Sequence, residues 1–173
     1  MFCPSSWIGP GPSFPPLTDA TFKDAIEACL KTHPVDGLCD DGDYGPMPGW
    51  DTSQVTNMEM AFADFNKRPN TVNADVSGWD TSAVTIMAGM FAACHDFNQP
   101  IGGWDTSKVK DMKDMFPQAG SFDQDITGWS TPAVTKLGDG LMFFNAFAFH
   151  DKFERMGRIG GPDDGPPSLW KPK

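Results

Sequence analysis

Trp50-Asp51-Thr52-Ser53, Trp79-Asp80-Thr81-Ser82, Trp104-Asp105-Thr106-Ser107 and Trp129-Ser130-Thr131-Pro132 are four statements of one phrase, the last of them worn. Their tryptophans stand 29, 25 and 25 residues apart, and five residues after each comes a valine: Val55, Val84, Val109, Val134. A fixed period of this length marks a unit that cannot bury its apolar side alone and must stack on copies of itself.

Working outward, Met58, Met87, Met112 or Leu137 stands eight residues after each tryptophan, and Phe62, Phe91, Phe116 or Leu141 twelve after. In the two cleanest copies Met90-Phe91 and Met115-Phe116 lead to Phe97-Asn98-Gln99 and Phe122-Asp123-Gln124. Ile101 or Ile126 then stands three residues before the next tryptophan, a slot that Val76 fills ahead of Trp79. In copy one Phe65-Asn66 arrives three residues early, followed by a polar insertion at 67–73 that is expected to bulge from one face. The spacing from Val84 to Phe91 predicts a short extended piece entering a helical turn, and 97–104 an extended piece with a bend at Gly102-Gly103. Stacked copies then place Trp on Trp, Met on Met and Phe on Phe, a pattern of core rather than of a cofactor box, since methionine fills the gaps that stacked rings leave. Asp-Thr-Ser reads as turn chemistry, short oxygen-bearing side chains satisfying turn amides. The alternative is a binding surface made of a threonine row (Thr52, Thr81, Thr106, Thr131) or an aspartate row (Asp51, Asp80, Asp105).

The 173 residues suffice for one domain with a continuous core. A net charge of −10 without a basic run argues against nucleic acid and anionic lipid as partners, because neutralising phosphates takes clustered Lys and Arg. No stretch reaches the roughly 18–20 apolar residues of a membrane span. The N-terminus shows no secretory signal, so an organelle lumen, a stroma or the extracellular space is expected only by way of a targeting segment already removed. The four cysteines allow three pairings; Cys29 and Cys39, flanking a Pro- and Gly-containing turn, are the expected disulfide, and Cys94 a buried free thiol. No ligand spacing for zinc occurs, and neither metal nor cofactor is expected.

Residues 1–17 read as an extended Pro/Gly-rich arm carrying Trp7 and Phe14. Between 18 and 49 come a capping helix, apolar at Phe22, Ala25, Ile26, Cys29 and Leu30 with a capping box at Thr21 and Asp24, and then an acidic loop. In that loop Asp41-x-Asp43-x-Gly45 is like the opening of a calcium loop but lacks its later ligands, so a solvated turn is expected.

The phrase Trp-Asp-Thr-Ser-x-Val-Thr-x-Met-x-x-Met-Phe, followed by Phe-Asn-Gln-x-Ile-x-x-Trp, resembles the repeat of bacterial surface proteins and mycoplasma lipoproteins, the DUF285 or BspA-like leucine-rich-repeat relatives. The helix leading through Gly45-Pro46-Met47-Pro48-Gly49 into Trp50 also resembles the segment ahead of such arrays, including many from algae and other protists. The resemblance covers roughly 18–145. It implies an α/β repeat: a short leucine-rich-repeat-like solenoid of about four coils with short parallel strands over 50–145, used for surface adhesion or protein contact and without catalytic residues. Gly140 stands where the fourth copy should carry its second Met.

Residues 146–159 read as a C-terminal cap or docking helix, and 160–173 as an extended tail. Phe143, Phe147, Phe149 and Phe153 exceed what one cap should bury, which makes them partner-contact candidates with Trp7, Phe14, Leu169 and Trp170. No phosphate loop, nucleophile elbow or zinc-protease motif occurs, and His33, His95 and His150 fall in unrelated contexts, so no enzyme is expected. The expected function is a non-catalytic scaffold or interaction protein, an accessory subunit of a larger assembly such as an algal organellar or photosynthetic complex. It would bind protein partners through its arms and Phe-rich segment and touch a membrane complex without spanning the membrane. The alternative is a cell-surface adhesion or ligand-binding module.

Overall fold

The computed structural model describes residues 14–39, 42–63, 70–136, 141–156 and 166–173. Trp7, Cys3, Asp41, Phe65, Leu137 and Gly140 lie outside them.

Successive copies stack, and the same backbone atoms make the bonds at each level. Thr56 O accepts from Thr85 N (2.8 Å) and Ile86 N (3.4 Å), Thr85 O from Lys110 N and Asp111 N, and Lys110 O from Thr135 N and Lys136 N. In return Met58 N donates to Ile86 O, Met87 N to Asp111 O, and Met112 N to Lys136 O. These exchanges form parallel bridges joining Asn57, Ile86, Asp111 and Lys136. Each bridge is one residue wide. Extended backbone cannot persist beyond it, because the chain turns through positive φ at Met60 (56°), Gly89 (63°) and Asp114 (50°). Inter-copy bonding continues past the turn regardless: Phe62 N to Met90 O, Phe91 N to Met115 O, Phe116 N to Met142 O.

Inside, the side chains repeat the same logic. Phe62, Phe91, Phe116 and Phe143 form one row, with ring centroids 5.4, 5.6 and 5.7 Å apart. Phe97, Phe122 and Phe149 form a second at 6.1 Å spacing. Trp50 stacks on Trp79 and Trp104 on Trp129, while Met58, Met87 and Met112 are fully buried between. Each indole N–H reaches back one level: Trp79 to Met47 O (2.9 Å), Trp104 to Val76 O and Trp129 to Ile101 O (both 3.1 Å). Trp50 donates to Gly45 O. A buried donor left without an acceptor costs about 1–3 kcal/mol, so these bonds fix register as well as satisfy the rings.

Two positions differ from the spacing. The fourth rung of the first row is Phe143, not Leu141: 25 residues separate Phe91 from Phe116 but 27 separate Phe116 from Phe143. In copy one the slot of Phe97-Asn98 belongs to Val72-Asn73 rather than Phe65-Asn66. Asn98 N donates to Asn73 Oδ1 just as Asp123 N donates to Asn98 Oδ1, and Gln99 and Gln124 reinforce both levels through their amide nitrogens. The extra residues of that copy therefore precede the slot.

The ends are closed by unlike devices. At the front, Leu17 N bonds Asp51 O, and helix α1 (Phe22–Thr32) buries Phe22, Ala25, Ile26 and Cys29, with Phe22 edge-on to Trp79 at 5.4 Å. The capping box does not form. Thr21 is itself helical (φ −110°, ψ −19°), and its hydroxyl turns back to Thr18 N at 3.0 Å. Asp19 Oδ1 instead accepts from Thr56 N (2.7 Å) and Asn57 N (3.0 Å), and Oδ2 from the Thr56 hydroxyl (2.6 Å). Those are the amides whose equivalents one level on bond to a carbonyl of the preceding copy. Cys29 and Cys39 are joined by a disulfide, and Cys94 is free and buried.

At the rear, helix α2 spans only Phe147–Lys152. The helix expected over 146–159 stops there because Phe153 turns extended (φ −119°, ψ 146°) and opens strand β1 (Phe153–Arg155), antiparallel to β2 (Trp170–Pro172). Residues 166–173 are thus docked on their own chain. Trp170 meets Phe143 and Phe149 edge-on at 5.3 and 5.2 Å, closing both phenylalanine rows, and the Ser168 hydroxyl lies 3.3 Å from that of Thr131.

Candidate functional site

The partner-contact residues expected from the sequence divide by burial. Phe143 and Phe149 are fully buried, Phe153 is 1% exposed and Trp170 3% exposed, so none of the four faces a partner: they are the last rungs of the stack and its lid. Leu169 is half-buried, and Phe14 is 38% exposed against Gly45. Phe147 is 66% exposed.

Phe147 stands at the end of a run of exposed apolar residues that includes Leu141 and Phe144, 42% and 39% exposed. Phe144 N bonds Leu141 O (3.1 Å), and Phe144 O accepts from Gln118 N (2.6 Å), which sets this run against the flank of the copy before it. Leu141 itself borders a groove of about 410 Å³ that crosses the copies, lined also by Met60, Ala88, Gly89, Ala92 and Pro117, with Glu59, Lys113 and Asp114 at its polar edge. The groove owes its shape to the positive-φ turn repeated at Met60, Gly89 and Asp114, which sets the chain back at each level. At position 89 glycine takes the positive φ without strain, and a Cβ there would make the Met60 side chain shift.

The rows considered as binding surfaces prove structural. Thr52, Thr81 and Thr106 are buried, and their hydroxyls donate to the carbonyls of Asp80 (2.9 Å), Asp105 (3.1 Å) and Ser130 (2.8 Å) in the next copy. Asp51, Asp80 and Asp105 are exposed, but their carboxylates cap the turn, each accepting from the amide two residues on. The Ser82 and Ser107 side chains, then their amides, hold Asp80 and Asp105 below the ordinary carboxylate range; Ser77 and Thr127 do the same for Asp75 and Asp125. His150 Nε2 lies 2.9 Å from Phe143 O and helps bind the lid. Burial pushes the Cys94 thiol well above its usual ionisation range. Among the described residues no group of three His, Cys, Asp or Glu could hold a metal ion, and no helix is long and apolar enough to cross a membrane.

Sequence reasoning missed Phe144 and placed Leu141 in the core. The signal was there: Met142-Phe143 repeats the dipeptides Met90-Phe91 and Met115-Phe116, and aligning on it rather than on the distance from Trp129 moves Leu141 and Phe144 to the surface.

No curated protein and no solved structure matches the chain. A family model described as "Mycoplasma protein of unknown function, DUF285" matches residues 40–156, well over half of the sequence and all four tryptophan phrases. The chain belongs to the DUF285 family.

Proposed function

We propose that the chain is a non-catalytic protein-interaction module, a leucine-rich-repeat-like solenoid of about four coils that serves as an accessory subunit and docks a partner through the flank ending at Leu141, Phe144 and Phe147. The observation carrying this reading is the exposure of Phe147, 66%, at the start of a helix whose neighbouring aromatics Phe149 and Phe153 are buried. Covering such a ring is worth about 1.5–3 kcal/mol to a partner. The polar chemistry of the stack is spent on turns and inter-copy bonds, which favours a structural over a catalytic role. A photo-crosslinking residue at position 147, introduced into native material and read by mass spectrometry, is expected to capture another polypeptide, with one at exposed Glu27 as the control. Equal labelling from both positions would exclude this flank.

A second reading, an adhesion or ligand-binding module at a cell surface, is favoured by the Cys29–Cys39 disulfide, since such bonds persist in oxidising compartments. Native material denatured and alkylated without reductant should then carry label at Cys94 and none at Cys29 or Cys39; label at all three would place the chain in a reducing compartment.

A further inference from the structure

The front end of the stack holds a second concavity, independent of the flank and of the function proposed for it. It is a cleft of about 450 Å³ between α1 and the segment 42–50, bordered also by Cys39, which a disulfide ties to Cys29 of α1. The helical wall includes the small side chains of Ala25 and Ala28 beside Asp24, Cys29 and Thr32; the other carries Tyr44, edge-on to the buried Trp50 ring at 6.3 Å. Trp50 cannot turn into the cleft, since its indole N–H is held by Gly45 O at 2.8 Å.

Among the described residues two carboxylates, Asp24 and Asp43, line the cleft, and no Lys or Arg does. Their situation differs from that of the aspartates that hold turns. Asp19, Asp51, Asp75, Asp80, Asp105 and Asp125 each hold a turn or a coil end. Among the described residues the Asp24 and Asp43 carboxylates make no hydrogen bond or ion pair. A cavity with small apolar residues on one side, an aromatic ring on the other and two uncommitted carboxylates suits a cation on an apolar stem. Guanidinium fits better than ammonium: it is planar, stacks on an aromatic face, is weakly hydrated and offers a fork of donors that two carboxylates can share. The charge of −10 adds a long-range field that draws such a group in.

We infer that this cleft receives an arginine side chain of a partner polypeptide, with its stem over Ala25 and Ala28 and its guanidinium between Asp24 and Asp43 beside Tyr44. The test titrates the full-length, nitrogen-15-labelled chain with acetyl-leucyl-arginine amide and, separately, with the uncharged isostere acetyl-leucyl-citrulline amide. The arginine probe is expected to shift the amides of Asp24, Tyr44 and Gly45 saturably at millimolar concentration, and the citrulline probe to bind at least about tenfold more weakly. Asp24→Asn with Asp43→Asn, isosteric changes at exposed positions, should weaken the arginine probe by a similar factor while leaving the rest of the spectrum in place. Equal affinity for the two probes, unchanged affinity in the double variant, shifts mapping elsewhere or no saturation would each overturn the assignment.

Discussion

Asp19 supplies, with one carboxylate, what a backbone carbonyl supplies at every later level of the stack. Its partners are the Thr56 and Asn57 amides, and the Thr85 and Ile86 amides meet Thr56 O in the same way one level on. Partial burial of the carboxyl works against its charge, but the bonds from the Thr56 side chain and the two amides outweigh it and set its pKa below the ordinary value. A depressed pKa stabilises the fold above the unfolded carboxyl's pKa, and that stability is lost as pH falls through the folded value. Asp19→Ala is therefore expected to cost about 1–2 kcal/mol at neutral pH in urea melts and little at the acid end, where wild type has lost the same bonds. Thr81 makes a second test at this scale. Thr81→Val keeps the shape but strips the Asp105 carbonyl of its donor, and should cost about 1–2 kcal/mol, whereas Thr81→Ser keeps the bond and should cost less. Roles of this kind were half legible in the sequence. Regular recurrence marked the threonines as a row, but period alone cannot tell a buried row from a displayed one, and Asp19 lies outside the repeat altogether.

The elements at the two ends were the hardest to foresee, because their form is dictated by what they cover. Residues 153–155 follow a helix and could have prolonged it; they become β1 because the tail arrives beside them and pairs Arg155 with Trp170. No local propensity announces a partner lying fifteen residues further along. By contrast α1 was readable from its own apolar spacing, and only its N-terminus differed, where a helical Thr21 put the capping hydroxyl out of reach. The rear lid makes a sharp prediction about Trp170. Among the described residues its indole nitrogen is buried without a hydrogen-bond partner, unlike those of the four repeat tryptophans. Trp170→Phe keeps an aromatic edge on Phe143 and Phe149 while removing the unpaired donor, and should change stability by less than about 1.5 kcal/mol; Trp170→Ala opens both rows and should cost about 3–5 kcal/mol by thermal or urea unfolding. Similar losses for both variants would mean that the lid depends on the indole itself.

Across the whole molecule, order along the stack comes from neighbours alone, as each copy bonds to the one before and the one after. The front end is additionally tied by the disulfide, whose cysteines are 10 residues apart in sequence. Cys29→Ser with Cys39→Ser should lower stability by about 2–3 kcal/mol, and exchange protection should fall first around α1 and last near Phe116. The stack's architecture was legible because every copy repeats the same demand; the count of two extra residues before Phe143 was not, since an insertion changes spacing without changing which rings must meet. One consequence reaches beyond stability. Asp19 and Trp170 each bind a single adjoining level and take no account of how many levels lie between them. Length is thus a free variable of this protein: tandem duplication of residues 79–103 should yield a folded chain about 4.8 Å taller with both ends unaltered and a larger urea m value. Descent by unequal recombination could stretch or shorten the molecule like a ruler cut between its marks.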